Sequence, residues 1–270
     1  MENSSFRHLS FTQSMKALLL FFLMIISIRS FGCTCGIIPL IDNYQHSDFI
    51  ATAKILTVVQ DASNKDYHDI EVALINVYKG TPIKKLKIHS WLMSSCAFLP
   101  DENTTWLIFA SKNQEGSLIF GSCSGSVQVD RHFDLVQYPN LDIRYKNSMN
   151  LKLDVLSFLH ENKISSINKF DVGLIDSRIC TEYLKGFIEK NRFAIYEVDV
   201  NQDLTVGEVK VLKSFDNKNL SEMLTNCLQT NLQINTKNRK TIPEKTKLTI
   251  IYFYYPSDGK SPGFISTWDL

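Results

Sequence analysis

Cys33-Thr34-Cys35 lies directly behind a leader-like segment, and no other feature constrains the chain as strongly. The stretch from Ala17 to Ile28 is apolar, with Lys16 on its N-terminal side. As a helix it rises only about 18 Å, short of the roughly 30 Å hydrocarbon core of a bilayer, so a secretory leader is expected rather than a membrane span. The small residues Ser30 and Gly32 stand where a signal peptidase reads small side chains. Residues 1–32 are therefore read as a signal peptide, and Cys33 as the first residue of the mature chain. Met15 serves as an alternative start that leaves the mature chain unchanged. A lipoprotein cut is the other reading of Gly32-Cys33, with Ser30 in place of the aliphatic residue usual there. Only on that reading, with Cys33 acylated, is a membrane a partner.

All six cysteines, Cys33, Cys35, Cys96, Cys123, Cys180 and Cys227, follow the leader. An even number in an exported chain reads first as disulfides, and so as a periplasmic, cell-surface or extracellular protein. Metal ligation needs thiolates and imidazoles at tight spacing, and no second Cys or His pair completes a site beside Cys33 and Cys35. No intrinsic metal and no cofactor is expected. The formal net charge is +1, with basic and acidic residues interspersed and no basic stripe carrying aromatics, which argues against nucleic acid as a partner.

The mature chain is long enough for two modest domains. In its first part, 49–59, 69–78, 86–91, 105–110 and 117–120 are short, β-branched or alternating runs separated by polar turns, Lys79-Gly80-Thr81-Pro82 among them. Five such strands favour a small closed barrel of the oligonucleotide/oligosaccharide-binding (OB) type. Apolar residues at Leu151, Leu153, Val155, Leu156 and Leu159 mark a helix over 150–162 that packs on it. The two early cysteines precede the first strand, while Cys96 and Cys123 flank the fourth strand and its hairpin partner. Two disulfides would pin the N-terminus to the barrel.

Cys33-Thr34-Cys35, the run from Asn43 to Lys54, Tyr78-Lys79-Gly80, Cys96, Trp106-Leu107-Ile108 and Cys123-Ser124 together resemble the inhibitory domain of tissue inhibitors of metalloproteinases, and more broadly the netrin-like module. The resemblance covers about residues 33–130. It implies bridges Cys33–Cys96 and Cys35–Cys123. It also implies that the α-amine and carbonyl of Cys33 chelate the catalytic zinc of a protease, while the Thr34 side chain enters the specificity pocket. An amine and a carbonyl form a bidentate N,O ligand able to displace water from an open zinc site. The chain departs from the family at Gln45, where a further family cysteine falls, so one family bridge has no counterpart.

In the second half, 193–200 and 206–212 read as strands around the turn Asn201-Gln202-Asp203. Leu220, Leu224, Cys227 and Leu228 mark one face of a helix over 219–230, and 247–255 returns as a strand. The hairpin with Asp203, the run Val209-Lys210-Val211-Leu212-Lys213-Ser214 with Asp216 after it, the helix, and the strand after Pro243 resemble the C-terminal domain of TonB-type proteins. That resemblance covers about 190–256 and implies docking of an envelope partner by strand addition to a sheet edge. Cys180 and Cys227 read either as buried small hydrophobes or as a third bridge.

The six histidines are scattered, and no zinc-protease, serine-hydrolase or phosphate-loop motif occurs. His46-Ser47-Asp48 are sequence neighbours and cannot converge as a triad must. Asp199 and Asp203 read as a strand end and a turn, and 121–125 as a loop closed by a bridge. The expectation is a non-enzymatic chain, mainly β plus α+β. Residues 33–162 form a netrin-like barrel with its helix, 163–189 a connector, 190–256 a TonB-C-like β-β-α-β unit and 257–270 a tail. Its expected function is protein binding in the cell envelope, with metalloprotease inhibition through Cys33 and Thr34 as the alternative and a lipid-anchored scaffold as the third reading.

Overall fold

The computed structural model describes residues 32–164, 168–176, 178–236 and 240–268. The leader expected over 1–32 falls outside them, Gly32 excepted. The chain is mostly β, and its first part closes into a five-stranded barrel. Strands β1 (Phe49–Gln60), β2 (Tyr67–Lys79), β3 (Lys85–His89), β4 (Thr105–Lys112) and β5 (Leu118–Gly121) run in the order β1-β2-β3-β5-β4, and β4 returns to β1. Only β3 and β5 pair in parallel; the other barrel contacts are antiparallel. This is an OB-like arrangement. Closure depends on β1, which pairs with β4 from Phe49 to Lys54 and with β2 from Ile50 to Gln60. Its register with β2 slips at three places, and such irregularities bend a strand enough to serve two neighbours. A short β6 (Val127–Gln128) adds to the β4 edge.

Period-two alternation decides what fills the barrel. Phe49, Ala51, Ala53 and Ile55 of β1 point inward with Ile70, Val72, Leu86, Ile88, Ile108, Ala110 and Phe120. The alternate residues Ile50, Leu107 and Phe109 face outward yet are buried, because helices cover that side. Those helices are α1 (Leu40–His46) and α2 (Leu141–Glu161). From α2, Met149, Leu151, Val155, Leu156 and Leu159 are buried. The helix begins well before the expected residue 150. Its first turns are mostly polar or exposed, so they carry no apolar face for a sequence reading to find.

Beyond α2, β7 (Val172–Leu174) pairs with β10 (Ile234–Thr236). Strands β8 (Phe193–Val200), β9 (Val206–Lys213), β11 (Thr246–Tyr255) and β12 (Phe264–Ser266) make a four-stranded sheet in the order β12-β11-β8-β9. Strands β7 and β12 lie in stretches read as connector and tail; three residues are too few for alternation to register. One face of the sheet, with Ala194, Tyr196, Val198, Ile250 and Tyr252, packs on Leu220, Leu224 and Leu228 of α3 (Lys218–Asn231). Its other face, with Phe193, Ile195, Ile251 and Phe253, shares a cluster with α1, α2 and the outer side of β4. The Asn217 side chain caps α3 by accepting from Leu220 N at 3.1 Å. Beside it, Glu189 accepts from the backbone N–H groups of Lys190, Asn191, Asp216 and Asn217 and so ties the approach to β8 to the start of the helix.

Candidate functional site

Residues 32–39 adopt no helix or strand, so no backbone ladder holds them. Two bridges do so. Cys33–Cys96 and Cys35–Cys123 join this segment to the loop after β3 and the loop after β5, with Cα–Cα distances of 5.0 and 5.2 Å. A third bridge, Cys180–Cys227, ties the segment after β7 to α3. The bridged segment leaves Thr34 exposed and Cys33 partly covered, with Ile37 exposed to 81%. Gly32 precedes Cys33, so a cut at that bond is what frees the Cys33 amine.

The loop joined to Cys33 is built from Ser90 outward. Phe98 N donates to Ser90 O at 2.8 Å and closes the loop. The Ser90 hydroxyl donates to Asp66 O at 3.0 Å, and therefore accepts from His68 Nδ1 at 2.9 Å; the proton of that ring sits on Nδ1. Trp91 has φ 44°, a left-handed conformation rare for a bulky residue. The turn lays its indole against His89 at 4.5 Å, and His89 stacks on Tyr67 at 4.7 Å. Beyond it Leu92 is exposed and Met93 is 99% exposed. Trp91, Leu92 and Met93 on one side of the Cys33–Cys96 bridge and Thr34, Ile37 and Ile38 on the other are thus exposed on two segments joined by covalent bonds.

The other residues of the first resemblance hold this edge in place. Asn43 Nδ2 donates to Ser124 O at 3.0 Å, tying α1 to the Cys123 loop. Gly125, at φ 76°, passes so close that a Cβ there would stand 2.2 Å from Asn43 Nδ2. Lys79 Nζ donates to the carbonyls of Tyr44 and Gln45 at the end of α1, at 2.7 and 3.0 Å, and its burial lowers its pKa. Gly80, at φ 85°, has no room for a Cβ, which would meet Asp48 O at 2.6 Å. The Tyr78 carbonyl accepts from His160 Nδ1 at 2.9 Å and fixes the end of α2.

The sulfurs of Cys33, Cys35 and Cys123 lie within 4.8 Å of one another, a spacing that suits a metal. All three are in bridges, and a bridged sulfur offers no thiolate. His46, Ser47 and Asp48 turn to separate partners: Asp42 O, Asn43 Oδ1 and Lys112 N. Asp203 holds its own turn through Thr205, which keeps its carboxyl below the usual range, while Asp199 lies 4.0 Å from Lys247 on the sheet. In the 121–125 loop, Ser124 Oγ donates to Gly121 O at 2.8 Å.

Sequence reasoning missed the exposed trio Trp91-Leu92-Met93. An uninterrupted apolar run just past a strand end and just before a bridged cysteine was the available signal. No helix among the described residues is long and apolar enough to cross a membrane, and three disulfides fit an oxidising compartment. Neither a family model nor a curated protein matches this chain.

Proposed function

We propose that this chain is an exported, non-enzymatic protein-binding module of the cell envelope, and that it binds through the bridged N-terminal edge. The observation that carries the reading is the exposure of Ile37, Trp91, Leu92 and Met93 on segments locked to a closed barrel by Cys33–Cys96 and Cys35–Cys123. Exposed apolar side chains on a rigid support favour association, because little conformational freedom is lost on binding. The strand order β1-β2-β3-β5-β4 with a doubly bridged terminus supports a netrin-like reading of the first half. The hairpin, helix and returning strand support a TonB-C-like reading of the second as a separate domain.

Inhibition of a zinc metalloprotease is the second reading. It is favoured by the exposure of Thr34 beside a Cys33 whose side chain is fixed by its bridge to Cys96. On this reading a cut after Gly32 frees the amine, and the amine and carbonyl of Cys33 meet the zinc while Thr34 enters the adjoining pocket. Acylation of Cys33 belongs to the lipid-anchored reading and excludes this mechanism.

One experiment separates the readings. The mature protein, with its mass and bridges mapped without reduction, is used to capture envelope proteins and is assayed against a panel of zinc proteases. The double variant Ile37→Asp with Met93→Asp is expected to lose the captured partner, while a form with one extra residue before Cys33 keeps it. Loss of protease inhibition on that extension, with inhibition present before it, moves the function to zinc chelation. Capture unchanged by the double variant overturns the edge as the binding surface.

A further inference from the structure

A cleft of about 530 Å³ lies between α1, the segment 168–176 and β11, and Pro39, at the end of the bridged segment, is part of its lining. Consecutive residues Leu248, Thr249, Ile250 and Ile251 all line it. Successive residues of a strand point to opposite faces, so only a view onto the edge of β11 touches all four. Among the described residues the strand beside that edge, β12, pairs with β11 only at Phe253–Tyr255. Across the cleft stands β7, whose far edge is taken by β10. The volume falls within the range of small-molecule sites, which are typically apolar clefts with a few placed polar groups.

The lining sorts by chemistry. Leu40, Val172, Ile250, Ile251 and Phe253 supply a buried apolar floor. Of the seven polar lining residues three are acidic, Asp42, Asp171 and Asp176, and among the described residues no Lys or Arg lines the cleft. Asp176 is already engaged by Arg178, whose backbone N–H and guanidinium lower its pKa. Asp171 is exposed, sits in a left-handed turn at φ 49°, and has no hydrogen-bond or ion-pair partner among the described residues. His46 donates from Nδ1 to Asp42 O at 2.7 Å. Trp268 also lines the cleft, 40% exposed, its carbonyl accepting from Tyr255 OH and its backbone N–H donating to Ser266 Oγ.

We infer that this cleft binds a small organic cation: an ammonium or guanidinium group carried on an apolar body. The apolar part covers the Leu40–Ile251 floor and the charge lies toward Asp171 and the face of Trp268. Carboxylates attract a cation across a partly desolvated cleft, and an indole face adds cation–π attraction. An anionic ligand of the same shape meets the exposed Asp171 carboxylate, and among the described residues no Lys or Arg lines the cleft to offset it.

Two probes with similar bodies and opposite charge test this: phenylbutylammonium and phenylbutyrate, titrated calorimetrically into the mature, fully bridged chain. The ammonium is expected to bind at one site per chain, about ten-fold or more tighter than the carboxylate. Asp171→Asn, at an exposed position, is expected to leave the fold intact by circular dichroism and to shrink that preference several-fold. Trp268→Ala is expected to weaken the ammonium more than the carboxylate. Equal affinity for the two probes, a preference untouched by Asp171→Asn, or no binding of the ammonium up to millimolar concentration overturns the inference. So does capture of an alternating Lys-Val peptide with no binding of phenylbutylammonium, which assigns the β11 edge to an added strand instead.

Discussion

In the barrel each of β1 to β5 has a neighbour on both sides, whereas the C-terminal sheet ends at β9 and β12, and β12 covers β11 only at Phe253–Tyr255. The two regions therefore make surfaces in different ways. A closed barrel abolishes its edges, so what it presents to a partner has to be attached to it: here an otherwise unstructured terminus, pinned by two bridges to two loops. The open sheet presents part of its own framework, and the cleft beside β11 follows from a strand longer than the one that covers it. The first surface depends on disulfides, and the second on how the sheet packs against α1 and β7.

The most disruptive test asks whether the two regions are energetically separate at all. Leu156 on α2 is fully buried in the cluster that joins the outer face of the barrel to Phe193, Ile195, Ile251 and Phe253. Leu156→Ala removes packing from both regions at once and is expected to cost about 2–5 kcal/mol. If the shared cluster couples them, tryptophan fluorescence, with Trp91 and Trp106 in the barrel half, and far-ultraviolet circular dichroism report one coincident transition at lower denaturant. Two separated transitions, with only one of them shifted, would show that the barrel and sheet unfold on their own.

Much of the barrel was legible because its strands alternate and its turns carry Gly, Pro or polar clusters; the stretch 49–59 already marks β1. The double role of β1 was not, since Ile50 and Phe49 are both buried, one under helices and one inside the barrel, and a run apolar on both faces does not say which neighbour covers which. The hairpin and helix of the C-terminal sheet were readable from the same periodicities. The cleft was not: its walls come from residues near 40, 172 and 250, and their meeting depends on how α1 packs on β11. Of the proposed interaction edge, Cys33 and Thr34 were visible from their place behind the leader-like run, whereas Met93 became a candidate only once its exposure was known.

Removing bridges one at a time sharpens the contrast, because two effects compete. Loop-closure entropy makes a bridge across a separation of 88, Cys35–Cys123, worth about 0.5 kcal/mol more than one across 47, Cys180–Cys227. Against this, Cys35 lies in a segment with few buried contacts, so once freed the segment regains conformational entropy in the folded state as well. Cys180 is buried under α3, and its release exposes a core. The expected order is therefore the reverse of the entropic one: Cys180→Ala with Cys227→Ala lowers stability by about 2–4 kcal/mol, and Cys35→Ala with Cys123→Ala by about 1 kcal/mol less. The second pair should instead make residues 33–38 an early cleavage site in limited proteolysis. Equal losses, with 33–38 still protected, would mean that non-covalent contacts hold the edge.

The smallest effect is confined to alkaline solution and separates the cores by composition. The cluster inside the barrel contains no tyrosine, while the cluster between the sheet and α3 contains Tyr196 and Tyr252, their rings edge to face at 6.0 Å. Burial raises the pKa of both, and for Tyr252 the neighbouring Tyr196 adds to the shift. A phenol whose folded pKa is raised stabilises the fold fully below its unfolded value, near 10, and the contribution is lost as pH climbs toward the folded one. Each such group costs about 1.4 kcal/mol per pH unit over that window. Tyr44 and Tyr145, beside the barrel, shift the same way, so the alkaline loss is shared but weighted toward the sheet. Tyr252→Phe keeps the ring and removes the ionisable hydroxyl. It is expected to flatten the fall in stability above about pH 10, measured by urea unfolding at stepped pH, and to leave the neutral limb parallel to that of the parent. An unchanged alkaline limb would mean that the sheet opens to hydroxide before Tyr252 has to ionise in place, and that its core is looser than the closed barrel beside it.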